Sequence, residues 1–249
     1  MSLQALLPQF EENTVFGRLG FASSAWFVSG RLPLARGTVL VAELPLAYGS
    51  MESQPGDAET SLVLGNPYVG AVVQPWSLPV TAELGVRIPL AADLSGDDFA
   101  TGIGILADTD RAESFVRERA SVVGMLNYKH PFARSVALHL RGGAMGLLST
   151  SNELYEDAGD VVLGYGALAW YELVWGAVGG GLTGRWGVTD EERVFRDEAV
   201  HQLGLTALFT RGQFQPSVQM RVPLNGDLSE VLRFIVGVGL RVNLSSPRR

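Results

Sequence analysis

A two-residue alternation of apolar and polar side chains constrains this chain more than any other feature. Val80, Ala82, Leu84, Val86, Ile88 and Leu90 fall on one face of an extended segment. Thr81, Glu83, Gly85, Arg87 and Pro89 fall on the other. Residues 38–49, 214–224 and 233–244 repeat the pattern. The last of these sets Phe234, Val236, Val238, Leu240, Val242 and Leu244 against Arg233, Gly237, Gly239, Arg241 and Asn243. Similar runs near 14–21, 25–34, 62–74, 117–129, 134–146, 161–172, 175–187 and 199–210 bring the predicted strands to twelve. A helix would need a 3.6-residue spacing, so the chain reads as all-β.

The connections alternate as well. Short turns are expected near 35–37, 75–78, 130–134, 173–174 and 211–213. Between them lie segments 51–60, 91–115, 150–160, 189–198 and 225–230, which hold twenty of the 26 acidic residues. Arg111, Arg193 and Arg196 are their only basic residues. Short turns on one rim and long loops on the other describe a transmembrane antiparallel up-and-down β-barrel of about 12 strands, within a range of about 10–14. Residues 1–13 read as an N-terminal lead or a plug, with Leu3, Leu6, Leu7 and Phe10 as a weak helical stripe. Residues 14–244 read as the barrel and 245–249 as a C-terminal tail. Twelve strands put both termini on the short-turn rim.

Composition bears on the solvent of the outer face. No run of apolar residues is long enough for a transmembrane helix, whereas strands of ~9–11 residues cross the hydrocarbon when tilted. The polar faces carry small residues and Arg–Glu mixtures, and Lys129 is the single lysine. A soluble sheet, the competing all-β reading, would show a Lys-rich solvent face. Trp26, Tyr48, Trp76, Tyr128, Tyr171, Trp175 and Trp186 lie near strand ends, as an interfacial girdle requires. The expected location is the outer membrane of a Gram-negative-type envelope. The expected partners are the lipid bilayer with its lipopolysaccharide and a small-molecule solute that the sequence does not identify. A net charge of −7 with no basic run speaks against nucleic acid. Nothing in the sequence fixes an oligomeric state. The absence of Cys excludes disulfides, thiolate metal sites and Cys nucleophiles. The start Met1-Ser2-Leu3-Gln4 has neither a basic n-region nor an apolar h-region, so export requires a signal already removed.

Two elements carry a family resemblance. Residues 61–70 read Ser-Leu-Val-Leu-Gly-Asn-Pro-Tyr-Val-Gly, with Gly65, Asn66 and Pro67 as the turn-like element. Residues 83–89 read Glu-Leu-Gly-Val-Arg-Ile-Pro, with Gly85 and Pro89 at fixed offsets from Arg87. This resembles the outer-membrane barrels of the phenol-degradation meta-pathway group, relatives of the long-chain fatty-acid (FadL-like) transporters. The resemblance covers about thirty residues sharply and the remainder only as a strand pattern. It implies an outer-membrane protein and uptake of small hydrophobic compounds. The chain departs from barrels that end in an aromatic residue, since its last strand closes Val242-Asn243-Leu244.

Strand parity predicts an inward set of Arg31, Glu43, Glu83, Arg87, Arg119, Arg141, Glu172, Arg185, Arg221 and Arg241. Charges inside a narrow barrel must pair or face water. They describe either an Arg–Glu ladder that braces a filled lumen or an Arg-biased pore. Glu43 and Glu83 are each expected to bridge several arginines. The histidines His130, His139 and His201 have no tight spacing, so no metal and no cofactor is expected. Asp108-Thr109-Asp110 and Glu153–Asp157 are weak Ca²⁺ candidates. Ser121 and His139 fall on adjacent strands and both face inward, as the Ser–His pair of a barrel lipid hydrolase would, but no esterase motif accompanies them. The expected function is therefore a porin-like channel or transporter for small, including hydrophobic, solutes, and not an enzyme. The alternatives are a structural or interaction barrel with a charge-filled lumen and, second, a barrel lipid hydrolase.

Overall fold

Extended segments resolve into fifteen strands of one sheet that closes on itself. The computed structural model describes residues 1–11, 18–19, 23–54, 57–75, 78–94, 99–150, 160–188 and 199–243. The strands are β1 (Ser2–Phe10), β2 (Arg18–Leu19), β3 (Ser24–Ala35), β4 (Thr38–Gln54), β5 (Asp57–Leu64), β6 (Tyr68–Val73), β7 (Val80–Arg87) and β8 (Ala92–Asp93). They continue as β9 (Arg119–Pro131), β10 (Val136–Ser149), β11 (Asp160–Glu172), β12 (Gly176–Gly187), β13 (Ala199–Phe209), β14 (Phe214–Pro223) and β15 (Leu232–Val242). Helix α1 (Phe99–Ala107), a 3-10 turn (Thr109–Ser114) and helix α2 (Gly226–Val231) complete the described elements.

Twelve staves form the ring: β1, β3, β4, β6, β7 and β9 to β15, each antiparallel to its neighbours. The barrel is antiparallel and closed, and no helix among the described residues is long and apolar enough to cross a membrane. Closure removes the unpaired edges that an open sheet would leave. β1 makes the seam, with Ser2 opposite both Arg241 of β15 and Ser29 of β3. The first stave thus corrects the expected one. Residues 2–10 are neither lead nor plug but a strand of the wall. Of the run expected at 14–21, residues 18–19 pair with Met51 and Glu52 of β4, and the remainder lies outside the described residues. The other eleven expected strands coincide with staves to within a few residues at each end.

One stave is broken. β5 and β6 both pair with β4, Leu64 opposite Leu46 and Tyr68 opposite Glu43. Three residues, Gly65-Asn66-Pro67, therefore oppose only Leu44 and Pro45. Pro67 has no N–H to give the ladder, so the break falls where pairing is already impossible. The next stave breaks at the same height, between β7 and β8, where Ala92 opposes Leu64.

The two faces of the wall differ as the alternation requires. Leu84, Val86, Val122, Leu126, Leu203, Leu205, Val218 and Met220 point outward and stay exposed. The buried core lies inside, on one side of the lumen. Segment 91–115, expected as an outward acidic loop, instead sends α1 and its 3-10 turn into the barrel. α1 packs on β1, β3, β4 and β5. Ala100, Ala107 and Phe115 bury against Leu6, Ala25, Phe27, Ala47 and Val63. Phe27 and Phe115 meet edge to face, centroids 6.0 Å apart. Each large apolar side chain so buried contributes about 1.5–3 kcal/mol. This cluster seats the insert and aims its charged end across the lumen.

Candidate functional site: an arginine-lined lumen and its insert

Inward-facing positions follow from register. Tyr68 opposes both Glu43 and Arg87, so the three share the inner face across β4, β6 and β7. Gly164 likewise opposes Arg185, and Gly204 opposes Arg221. Small residues at those positions leave room for the guanidiniums. Tyr68 itself lies over Gly70 and Gly85, where any β-carbon would collide with its ring. The family-like Gly85 is thus the floor for an aromatic side chain. Tyr68 Oη donates to Glu83 at 2.6 Å.

The insert delivers three carboxylates and one guanidinium into this ring. Asp108 accepts from Arg111 at 2.6 Å and from Arg221 at 2.8 Å. Asp110 accepts from Arg141 at 2.6 Å. Glu113 accepts from Arg185 at 2.8 Å and from Arg87 at 3.2 Å. Glu43 receives Arg87 at 3.0 Å and Arg111 at 2.6 Å, so it bridges wall and insert. Arg111 also lies 3.6 Å from the centroid of Phe27, over the ring face. Gln202 of β13 donates to the Thr109 hydroxyl at 2.6 Å.

Opposite charges, working against burial, fix the protonation of these groups. Burial alone would raise the Asp108 carboxyl, but the Arg111 and Arg221 guanidiniums outweigh it and hold it well below the usual carboxylate range. Glu113 is lowered in the same way, burial being overcome by Arg185 and Arg87. Burial would also lower Arg111, yet Asp108 and Glu43 raise it. All three stay charged at neutral pH. Asp108 and Asp110 are therefore committed to arginines, which answers the Ca²⁺ expectation at 108–110. The second candidate, 153–157, lies outside the described residues.

The broken stave holds the insert. Asn66 is fully buried, and each of its hydrogen-bonding groups is engaged. Its Nδ2 donates to the carbonyls of Glu113 at 3.0 Å and Val116 at 2.6 Å. Its Oδ1 accepts from the Ala91 amide at 2.8 Å. Its backbone N–H donates to Ser114, and its carbonyl receives Arg87. At Gly65 a β-carbon would strike the Ser114 carbonyl and the Pro45 ring. Gly65-Asn66-Pro67 is thus a clasp for the insert, with Gly permitting approach and Asn supplying the bonds.

Of the ten inward charges read from parity, Glu43, Arg87, Arg141, Arg185 and Arg221 are brought together around the insert. Glu83 lines the same chamber but meets Tyr68 and no arginine among its hydrogen bonds described here, unlike the expected bridge. The remaining four lie apart. Arg119 pairs with Asp160 at the long-loop end of the wall, and Glu172 pairs with Lys129 near the short turns. Arg31 and Arg241 are exposed toward that same rim. Sequence reasoning missed Arg111 and Glu113, and it read Asp108 and Asp110 as Ca²⁺ candidates instead of partners for the wall arginines. Ser121 and His139 are not assembled either. Ser121 opposes Leu147 and His139 opposes Lys129, eight positions along one ladder and so roughly 26 Å apart.

Two chambers flank the charged end of the insert. One of about 420 Å³ contains the ion-pair cluster. The other, of about 550 Å³, lies toward the short turns and is lined by Thr81, Asn127, Lys129, His139, Arg141 and Trp170 among others.

No family model and no curated protein matches the chain. Among solved structures, it is similar to an outer membrane channel from Pseudomonas putida F1, with 14% identity and a TM-score of 0.61. That likeness covers 97% of this chain and 95% of the other. It is also similar to LpxR from Salmonella typhimurium, with 10% identity, a TM-score of 0.55, and 96% and 99% of the two chains covered. A Pseudomonas aeruginosa FadL homologue overlaps at 13% identity and a TM-score of 0.36, over 88% of this chain and 66% of that one. The first two likenesses run nearly end to end in both directions, and what they establish is the fold: a closed antiparallel barrel.

Proposed function

We propose that this chain is an outer-membrane channel or transporter for small solutes, hydrophobic ones included, whose lumen is occluded by its own insert. The outer face supports the location. Leu84, Leu205 and Leu126 are 65%, 61% and 59% exposed around the wall, and a protein in water would bury such a band. Tyr128, Phe132, Tyr171 and Trp175 gather near the short turns, Trp26 and Trp186 near the opposite ends of their strands. That is the placement of two interfacial girdles. The fold shared with an outer membrane channel supports the class of function.

One observation carries the transport reading. The lumen is filled by a loop seated on an apolar cluster at one side and held through ion pairs and hydrogen bonds at its charged end, not by side chains of the wall packed across it. Such a loop can leave without unzipping a single stave. Reconstitution into planar bilayers tests this. Stepwise openings are expected, and a shortened insert lacking residues 99–114 should open more often. Silence from both proteins would favour the second reading, a structural or interaction barrel braced by its charges. That reading draws on the same dense pairing at Glu43, Arg87 and Glu113.

A further inference from the structure

We infer that the lumen selects small oxyanions, and that the carboxylates of the insert stand in for them when the barrel is closed. This rests on the channel reading above and names its solute class. In the upper chamber the wall presents Arg87, Arg141, Arg185 and Arg221 against Glu43 and Glu83. The wall alone is therefore net positive by two charges. The insert brings Asp108, Asp110 and Glu113 with Arg111, which balances that excess. Every wall arginine of the chamber is bound to an insert carboxylate: Arg221 to Asp108, Arg141 to Asp110, and Arg185 and Arg87 to Glu113. Movement of the insert frees Arg141, Arg185 and Arg221 to face an aqueous path, with Arg87 still on Glu43, and their planar donors match carboxylate or phosphate oxygens.

The lower chamber points the same way independently. Its lining includes Lys129 and Arg141 and no carboxylate. Arg141 belongs to both chambers, so it stands where a solute would pass from one to the other. Its Nε is buried without an acceptor among the described residues, while its Nη2 holds Asp110. The side chain as a whole remains 34% exposed with Asp110 bound, so guanidinium surface is left for a second oxygen of the same chemistry. Lys129 is held only loosely, by Glu172 at 3.5 Å, so the chamber keeps a cationic bias that favours anions over cations.

Reversal potentials across a bilayer with a KCl gradient test this, using the intact chain, Arg141→Glu, and a chain with residues 99–114 replaced by a short Gly-Ser linker. Heat-modifiable migration in detergent gels first establishes that each barrel is folded. The intact chain and the linker variant should pass chloride over potassium by roughly threefold or more, the linker variant with the larger conductance. Arg141→Glu should bring that ratio to about one or below. Inorganic phosphate or acetate on the short-turn side should reduce the chloride current of the linker variant and leave Arg141→Glu unaffected. Openings that favour potassium, or a ratio unmoved by Arg141→Glu, would overturn the inference while leaving a channel. Silence from all three folded proteins would overturn the channel reading itself, and the inference with it.

Discussion

The side-chain amide of Asn66 donates to the backbone carbonyl of Glu113 at 3.0 Å, tying the break in the wall to the loop in the lumen. The same nitrogen reaches Val116, so one residue holds the point where the insert returns to β9.

Asn66→Ala removes those donors and leaves buried carbonyls unsatisfied, at about 1–3 kcal/mol for each. Unfolding by urea, followed by tryptophan fluorescence, should show a loss of about 2–4 kcal/mol. Bilayer conductance should rise, because the insert has lost its clasp while the staves keep their register. An unchanged midpoint would mean that Asn66 is not what retains the loop.

Glu43 and Glu83 should separate sharply. Glu43 is nearly buried and receives both Arg87 and Arg111, so Glu43→Ala takes one carboxylate from each of two largely buried guanidiniums, at about 3 kcal/mol. Glu83 accepts from the Tyr68 hydroxyl, and Glu83→Ala should cost about 1 kcal/mol. Equal losses in the same urea titration would contradict the pairing described here.

Occlusion should respond to acid and not to the neutral range. Asp108 and Glu113 have carboxyls lowered in the folded state from ordinary values of 3.8 and 4.5. A lowered carboxyl contributes its full stability above the ordinary value and loses it as pH falls through the folded one. Conductance recorded from pH 8 down to pH 5 should therefore be flat, with openings increasing below about pH 4. A transition near pH 6 would point to a different group.

The register is open to direct labelling, since the chain has no cysteine of its own. Cys at 84 or 126 should react with lipid-phase reagents, and Cys at 83 or 127 with aqueous ones. Leu84→Arg should cost about 2–4 kcal/mol if it lies near the bilayer midplane. A one-residue slip would exchange the two classes.

Most of the wall was legible because each stave is solvated differently on its two sides, and that difference is written into alternate residues. β1 escaped because its inner face changes from polar Ser2 and Gln4 to apolar Leu6, Pro8 and Phe10. Leu6 packs under the insert while Leu3 and Leu7 lie on the outer face, so the strand shows apolar residues on both faces and mimics a helical stripe. The insert escaped for a complementary reason. Asp108, Asp110 and Glu113 read as a solvated acidic loop because their partners on the wall are 26 to 113 positions away in sequence. One local signal was present: Phe99–Ala107, Phe-Ala-Thr-Gly-Ile-Gly-Ile-Leu-Ala, contains no charge, which is uncommon in a loop bathed by water. Glu83 was expected to bridge arginines because parity sees a face but not the distance across it.

The seam at β1 has a topological corollary. The Met1 amine donates to the Val242 carbonyl, and Val242 returns its own amide to Met1. The first and last staves, β1 and β15, thus meet with Met1 and Val242 at the same height, like the two ends of a barrel hoop. A short covalent link from residue 243 to Met1 would disturb no rung. Its new ends could be cut at the short turn around Gly37 or Gly212, giving a circular permutant with the same lumen. The order in which the staves leave the ribosome is then separable from the order in which they stand in the wall.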